Sequence, residues 1–163
     1  MIISAGAFFN NINTAEPVLQ VGTAGQSGTV ELSDLIVSTR AAQAGAVLIE
    51  WNLASPSGAP SGMWDVHTRI GGFIGSNLQG DTCPTTPNTT ATSANYVKAC
   101  VGAYMSMHVT KSASGLYMEN NWFWTADHDI DANVGGNQSG RQSKRRPNTS
   151  TWPQNNGRLD GGR

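Results

Sequence analysis

The residues best suited to chemistry are concentrated between Gly115 and Asp131, a stretch of 17 residues that combines aromatic, acidic and histidine side chains. In a β-strand, successive side chains point to opposite faces. One face would carry the apolar residues Leu116, Met118, Trp122 and Trp124. The other face would carry the polar residues Tyr117, Glu119, Thr125, Asp127, Asp129 and Asp131. An apolar face beside a row of carboxylates is typical of carbohydrate sites, where aromatic rings hold sugars and acids bind their hydroxyls.

Two acids of this stretch, Glu119 and Asp127, could form the acid–base pair of a glycosidase. On one strand rising ~3.3 Å per residue they would lie well beyond the ~6–10 Å that such a pair requires, unless the chain turns between them. We therefore favour an outward-facing Glu119 that forms a salt bridge. Whether Glu119 and Asp127 form an acid–base pair stays open.

Metal and triad chemistry are disfavoured. Asp127, Asp129 and Asp131 have the spacing of a calcium loop, but Ala132 stands where that loop needs Gly and Gln138 where it needs a bidentate Glu. His67 and His108 lack the paired spacing of a zinc site and the nucleophile elbow of a serine hydrolase. The sequence predicts no metal and no cofactor.

The same alternation of side chains predicts which tryptophans face the core. Trp51 and Trp64 fall on inward parities and are predicted to lie in the core. For Trp122 and Trp124, core or corner packing is favoured over a role as sugar platforms.

The elements that carry these residues are predicted to be short strands. Clean alternation runs through residues 47–53, 64–70 and 103–109, and the parity slips near Asp34, which predicts a bend. No segment has a helical period over 11 or more residues. Corners of small residues and one long polar loop favour a parallel β-helix, whereas a β-sandwich would need more hairpin turns.

Composition divides the chain near residue 131. Residues 1–131 carry 10 acids and 4 bases, whereas residues 132–163 carry 1 acid and 6 bases. The second segment is rich in Gly and Arg and too poor in aliphatic residues to offset its ordering entropy. We predict a domain at 1–131 and a disordered tail at 132–163. A basic nucleic-acid arm is the less favoured interpretation, and no nucleic-acid partner is expected.

The sequence contains few signals of the cellular compartment in which the protein resides. No apolar run approaches the ~20 residues that cross a bilayer, so no membrane partner is expected. Residues 1–9 lack the basic region of a signal peptide. Cys83 and Cys100 bracket a loop rich in Pro, Thr and Asn. A disulfide there would contribute roughly 3 kcal/mol in the chain-entropy model, and two free thiols are the alternative.

Four segments carry a resemblance to a known family. They are Gly45-Ala-Val-Leu-Ile-Glu-Trp-Asn-Leu, Ser61-Gly-Met-Trp-Asp-Val-His-Thr-Arg-Ile-Gly-Gly, His108-Val-Thr-Lys-Ser-Ala-Ser-Gly-Leu-Tyr-Met-Glu-Asn-Asn-Trp and Trp124-Thr-Ala-Asp-His-Asp-Ile-Asp. From about Ile2 to Asp131 the chain resembles fungal family-55 glycoside hydrolases, the exo-β-1,3-glucanases of the pectate-lyase-like superfamily. The resemblance implies an all-β, right-handed parallel β-helix, an extracellular location, and inverting hydrolysis of β-1,3-glucan from its end without a metal.

The chain also departs from that family. It resembles only part of the second of two β-helical domains, and no position matches the family's catalytic glutamates. We therefore assign no catalytic residue. The substrate-bordering residues that the resemblance and pattern indicate are Glu119, Trp124, Asp127, His128 and Asp129. The abrupt change at 132 suggests a truncated or misread gene product. A cut β-helix exposes strand edges, so association is expected, but the pattern fixes no oligomeric state.

Two other functions fit the sequence. One is a non-catalytic carbohydrate-binding or wall-associated module. It would use the outward row Glu50, Asp65, His67, Arg69, His108 and Glu119. The other is a polysaccharide lyase, which the net acidic charge of residues 1–131 disfavours.

Overall fold

The computed structural model describes residues 1–80, 82–83, 98–126 and 129. All of them lie in the unit Met1–Asp131; the second unit, Ala132–Arg163, lies outside the described residues, and so does the tail predicted to be disordered. The described residues form eight strands, β1 (Ile2–Ser4), β2 (Glu16–Val21), β3 (Glu31–Thr39), β4 (Ala46–Trp51), β5 (Ser61–Ile70), β6 (Met105–Val109), β7 (Leu116–Glu119) and β8 (Trp122–Thr125). The described part contains no α-helix, only two 3-10 turns, Ala7–Phe9 and Lys98–Cys100. None of its helices is long and apolar enough to cross a bilayer. The predicted all-β class is confirmed.

The strands form two sheets in which every described pair is parallel. Sheet A has the order β1-β3-β5-β7, with β8 also paired to β5, and sheet B has the order β2-β4-β6. From β1 to β7 the chain visits the two sheets in turn, so each strand pairs with the strand after the next. Parallel neighbours need crossover connections, so the hairpin-built sandwich is excluded for this part of the chain.

The core lies between the two sheets. Its buried members are Val21, Val37, Leu48, Ile49, Trp51, Leu53, Met63 and Val66. β4 contributes most because both its faces are covered: Leu48, which the alternation places opposite Ile49, is also fully buried. Trp51 is fully buried, which confirms its predicted place in the core.

Sheet A bends at one register position in β3, in β5 and in the connection between β7 and β8. Asp34, Asp65 and Asn120 have φ angles of 53°, 53° and 52°. The pairing places Asp34 opposite Asp65 and Asp65 opposite Asn120. Asp and Asn are the non-glycine residues that most readily adopt this left-handed conformation, because their short side chains form local hydrogen bonds. The bend predicted near Asp34 is confirmed.

The left-handed residues shift the alternation by one position, and this corrects the predictions for three tryptophans. Trp64 precedes the bend and lies outside the core, half-buried. Trp122 and Trp124 follow the bend at Asn120, and each is 48% exposed, so neither packs in the core. The stretch 115–131 is therefore not one evenly alternating strand.

A disulfide joins Cys83 to Cys100, with Cα atoms 5.6 Å apart. The favoured pairing is confirmed and the free-thiol alternative is wrong. The bond ties the segment after β5 to the turn before β6.

Candidate functional site

The outer face of sheet A carries a cleft beyond the bend. Cross-strand pairing aligns Ile36 with His67 and His67 with Trp122, and it aligns Arg69 with Trp124. These residues, with Thr68 and Asn120, line a cleft of about 410 Å³. The volume lies within the range of small-ligand sites.

Two indoles form one wall of the cleft. The rings of Trp122 and Trp124 are 5.4 Å apart and nearly perpendicular, the edge-to-face arrangement that aromatic quadrupoles favour. The Trp122 indole N–H donates to Asn120 Oδ1 at 2.8 Å, which orients this ring relative to the bend. The cleft is therefore a preformed aromatic surface.

In the part of the chain that the structure describes, the titratable groups that line the cleft are both nitrogen bases, His67 and Arg69, and no carboxylate is among the lining residues. Arg69 is held beside the cleft because its guanidinium lies 5.8 Å from the Phe73 ring and its Nε donates to the Gly71 carbonyl at 3.4 Å. Arginine has five N–H donors, so further donors remain for a ligand. The cleft offers aromatic faces together with hydrogen-bond donors.

Amide side chains hold β7 and β8 against the bend of β5. Asn121 Oδ1 accepts the Val66 backbone N–H at 3.0 Å, and Asn121 Nδ2 donates to the Met63 carbonyl at 2.9 Å. The side chain thus pairs two backbone groups that flank Asp65. Asn120 Nδ2 donates to Asp65 Oδ1.

On the other side of the bend, the outer face of sheet A carries Glu119 and Tyr117. The Tyr117 hydroxyl donates to Glu119 Oε2 at 3.0 Å, and this hydrogen bond, aided by the carboxylate charge, raises the pKa of Tyr117. Both side chains are exposed. The predicted outward orientation of Glu119 is confirmed. Its partner in the structure is a hydroxyl, not the base of a salt bridge.

A separate polar cluster, the Glu50 cluster, lies on sheet B and consists of Glu50, Asn52, Gln20 and His108. The carboxylate of Glu50 accepts from Asn52 at 2.9 Å and from Gln20 at 3.2 Å, and His108 Nδ1 lies 3.3 Å from its other oxygen. The hydrogen bond from Asn52 lowers the pKa of Glu50, His108 and Gln20 act in the same direction, and partial burial opposes them.

The predicted outward row is therefore divided between two sheets. Asp65, His67, Arg69 and Glu119 belong to sheet A, whereas Glu50 and His108 belong to sheet B.

The predicted substrate-bordering residues occupy different places. Trp124 lines the cleft. Glu119 pairs with Trp64 on the other side of the bend and is not among the residues that line the cleft, so the two do not share one pocket. Both carboxylate oxygens of the half-buried Asp129 accept the Gly80 backbone N–H at 3.0 Å, which fastens this residue to the segment after β5. Asp127 and His128 lie outside the described residues, so the Glu119–Asp127 pair is untested.

Sequence reasoning missed Ile36 and Trp122 as cleft residues. The parity slip at Asp34 puts Ile36 on the outward side, but only the pairing between β3 and β5 shows that it lies opposite His67. For Trp122, the Asn120-Asn121 pair was the one available sequence signal of the bend at Asn120. Across residues 1–80, 82–83, 98–126 and 129, no group of three His, Cys, Asp or Glu side chains could hold a metal ion.

Comparison with known proteins gives two kinds of relatives, although no family model matches the chain. A protein of Arthroderma benhamiae named probable glucan endo-1,3-beta-glucosidase is 47% identical over 131 residues, which are 80% of this chain and 14% of that protein. A Cochliobolus carbonum protein named glucan 1,3-beta-glucosidase is 47% identical over 130 residues, 80% of this chain and 16% of the relative. The chain is related to these glucanases.

The same stretch also matches a protein of another name. A Penicillium expansum protein named non-secreted LysM effector is 39% identical over 130 residues, 80% of this chain and 9% of the relative. The chain spans about one seventh of the length of the two glucanases.

Proposed function

We propose that this chain is a segment of a β-1,3-glucan hydrolase, folded as coils of a right-handed parallel β-helix, whose outer face contacts the glucan. Support for the β-helix comes from the chain visiting two parallel sheets in turn. Support for the substrate comes from the 47% identity to proteins named as glucan β-glucosidases. The family in question is the one that the sequence resembles, glycoside hydrolase family 55.

The cleft supports a sugar-binding role. A pyranose ring has an apolar C–H face that stacks on an indole, and hydroxyls that accept hydrogen bonds from donors such as Arg69 and His67. Trp124, with Trp122, supplies the indole. Of the other proposed contacts, Glu119 borders the substrate from beyond the bend, and Asp127, His128 and Asp129 follow the cleft in sequence.

The chemistry that we propose is inverting hydrolysis, which needs a general acid and a general base about 6.5–9.5 Å apart, with room for water. We assign neither group to this segment and propose that other parts of the relatives supply them. The segment by itself is then expected to bind glucan and to hydrolyse it slowly. The proposal includes no metal or cofactor.

The disulfide supports an extracellular location. Disulfides such as Cys83–Cys100 persist in oxidising compartments and are rare in the cytosol. A β-glucan of a cell wall is a substrate found outside the cell.

The test is incubation of the purified chain with laminarin, a soluble β-1,3-glucan, followed by measurement of bound polysaccharide and released glucose. Retarded migration of the chain in laminarin-containing native gels, with little glucose released, supports the proposal. Absence of retardation would contradict the assignment of β-glucan as the substrate. Rapid release of glucose would contradict the proposal that this segment lacks the general acid and the general base.

A second candidate is a non-catalytic carbohydrate-binding module. The observation that favours it is the 39% identity to a protein named as an effector rather than as a hydrolase. Transfer of this segment into the place of its counterpart in an active glucanase separates the two functions. Retained hydrolysis supports the hydrolase segment, and retained binding with lost hydrolysis supports the module.

A further inference from the structure

The outer face of sheet A has a second aromatic surface, on the far side of the bend from the cleft. Its centre is Trp64, whose six-membered ring lies over Gly62. A Cβ built on Gly62 would stand 1.9 Å from Trp64 Cη2 and within 2.5 Å of Cζ2 and Cζ3. The indole therefore lies across the backbone of Gly62 and occupies the space that any larger side chain would take.

Tyr117 extends this aromatic surface onto the next strand. Gly62 and Tyr117 are opposite each other in the ladder between β5 and β7, and the rings of Trp64 and Tyr117 are 6.0 Å apart with an interplanar angle of 41°. Tyr117 is 51% exposed. The two rings form one contiguous surface that faces solvent.

Carboxylates stand on both sides of these rings. Glu119 is opposite Trp64 on β7, and Glu31 is opposite Gly62 on β3; both are exposed. The Trp64 indole N–H donates to no acceptor among the described residues. Aromatic faces with acceptors on either side and one free donor complement a sugar ring, which has an apolar C–H face and a rim of hydroxyls.

We propose that Trp64, Tyr117, Glu119 and Glu31 form a second carbohydrate-binding surface, the Trp64 platform, that takes a neutral pyranose unit. The carboxylates on both sides of the rings repel the carboxylates of acidic sugars. The hydroxyl groups of a neutral sugar can instead donate hydrogen bonds to Glu119 and Glu31. Among the described residues no carboxylate lines the cleft beyond the bend, so the two sites as described differ in chemistry. The identity of the polymer as β-glucan rests on the proposed function; the preference for a neutral sugar does not.

Gly62 allows a test that removes no aromatic ring. Its φ angle is not positive, so alanine is compatible with the backbone, but the new Cβ displaces the Trp64 ring. Gly62→Ala therefore disrupts the platform while keeping every candidate contact residue. Trp64→Ala removes the ring, and Tyr104→Ala removes an equally exposed aromatic ring outside the platform, next to sheet B.

The experiment measures affinity of the full chain and these variants for laminarin, xylan and polygalacturonate in native gels, with melting curves as the check on folding. We expect laminarin affinity to fall about tenfold in Trp64→Ala and at least threefold in Gly62→Ala, and to stay unchanged in Tyr104→Ala. Polygalacturonate, the acidic polymer, should bind weakly to all of them.

The outcomes separate the two proposals. Laminarin binding that is the same in the wild type, Gly62→Ala and Trp64→Ala overturns the platform and leaves the proposed function intact. Binding of xylan but not laminarin, lost in both variants, supports the platform and contradicts the glucan assignment. Preference for polygalacturonate, or binding to none of the three polymers, overturns the platform.

Discussion

Asp65 and Asn120 lie opposite each other on β5 and the β7–β8 connection, both in the left-handed conformation, and the Asn120 amide donates to the Asp65 carboxylate. Because the two bends coincide, the strands stay in register on both sides of them. The offset between paired residues is the same for β7 as for β8: Trp64 pairs with Glu119 and His67 with Trp122. The bend thus divides one sheet face into the Trp64 platform and the cleft.

The bend depends on Asn121, so Asn121→Ala should destabilise the fold. The substitution leaves the Val66 N–H and the Met63 carbonyl without their side-chain partner, at a cost of about 1–3 kcal/mol. Urea unfolding followed by circular dichroism measures it. The comparison variant is Asn120→Gly, which keeps the positive φ and loses only hydrogen bonds between exposed side chains, so it should cost less than about 1 kcal/mol. Equal losses in the two variants would contradict this account of the bend.

The cleft should contribute to polysaccharide binding through Trp124. Trp124→Ala is expected to weaken laminarin binding about tenfold, as is typical for loss of a central aromatic contact. The melting temperature should change little because nearly half of the side chain is exposed. Native gels with laminarin give the affinity, and Tyr104→Ala is the control. Unchanged binding in Trp124→Ala would remove the cleft from the proposed site.

The Glu50 cluster should make stability depend on pH. The folded-state pKa of Glu50 lies below its usual 4.5, so its stabilising contribution is present above that value and is lost as the pH falls through the folded-state pKa. We expect Glu50→Gln to lose less stability than the wild type over the pH range below 4.5, where the wild-type carboxylate becomes protonated. Urea midpoints across this range test it, with Glu31→Gln as the control. Identical pH profiles for Glu50→Gln and the wild type would contradict the role of the cluster.

The disulfide should stabilise the fold by closing the segment between Cys83 and Cys100, which are 17 positions apart. The chain-entropy model gives roughly 3 kcal/mol for a loop of this length. Reduction with dithiothreitol should lower the urea midpoint of the wild type. The double variant Cys83→Ser/Cys100→Ser should start at the lowered midpoint and not respond to the reductant. A response in the double variant would show that the reductant acts elsewhere.

Much of the fold follows from the alternation of apolar and polar residues along the sequence. Where predictions from this alternation were wrong, the cause was a left-handed residue that shifts the parity of a strand. The bend at Asp34 was readable because Leu32 and Leu35 both pack against the core, and only a shift in parity allows this. The bend at Asp65 was not readable because Met63 and Trp64 are both apolar, so either could have faced inward.

The same ambiguity hid the bend at Asn120, since Trp122, Phe123 and Trp124 are consecutive aromatics. Pairing across strands settles the choice: Trp122 aligns with His67 and Trp124 with Arg69, on the outer face. Cross-strand register is a property of the assembled sheet. For this reason the platform and the cleft could not be assigned from sequence, although Glu119 and Trp124 were singled out as substrate-bordering residues, and His67 and Arg69 as members of the outward row.

The central claim is that β-glucan lies along the outer face of sheet A. Its most direct test is titration of the ¹⁵N-labelled chain with a soluble β-1,3-gluco-oligosaccharide while the backbone amide and tryptophan indole N–H signals are observed by NMR. We predict that the signals of Trp64, Trp122 and Trp124 shift and saturate together, while that of the fully buried Trp51 stays in place. Shifts confined to residues of the Glu50 cluster on sheet B, or no shifts at all, would contradict the claim.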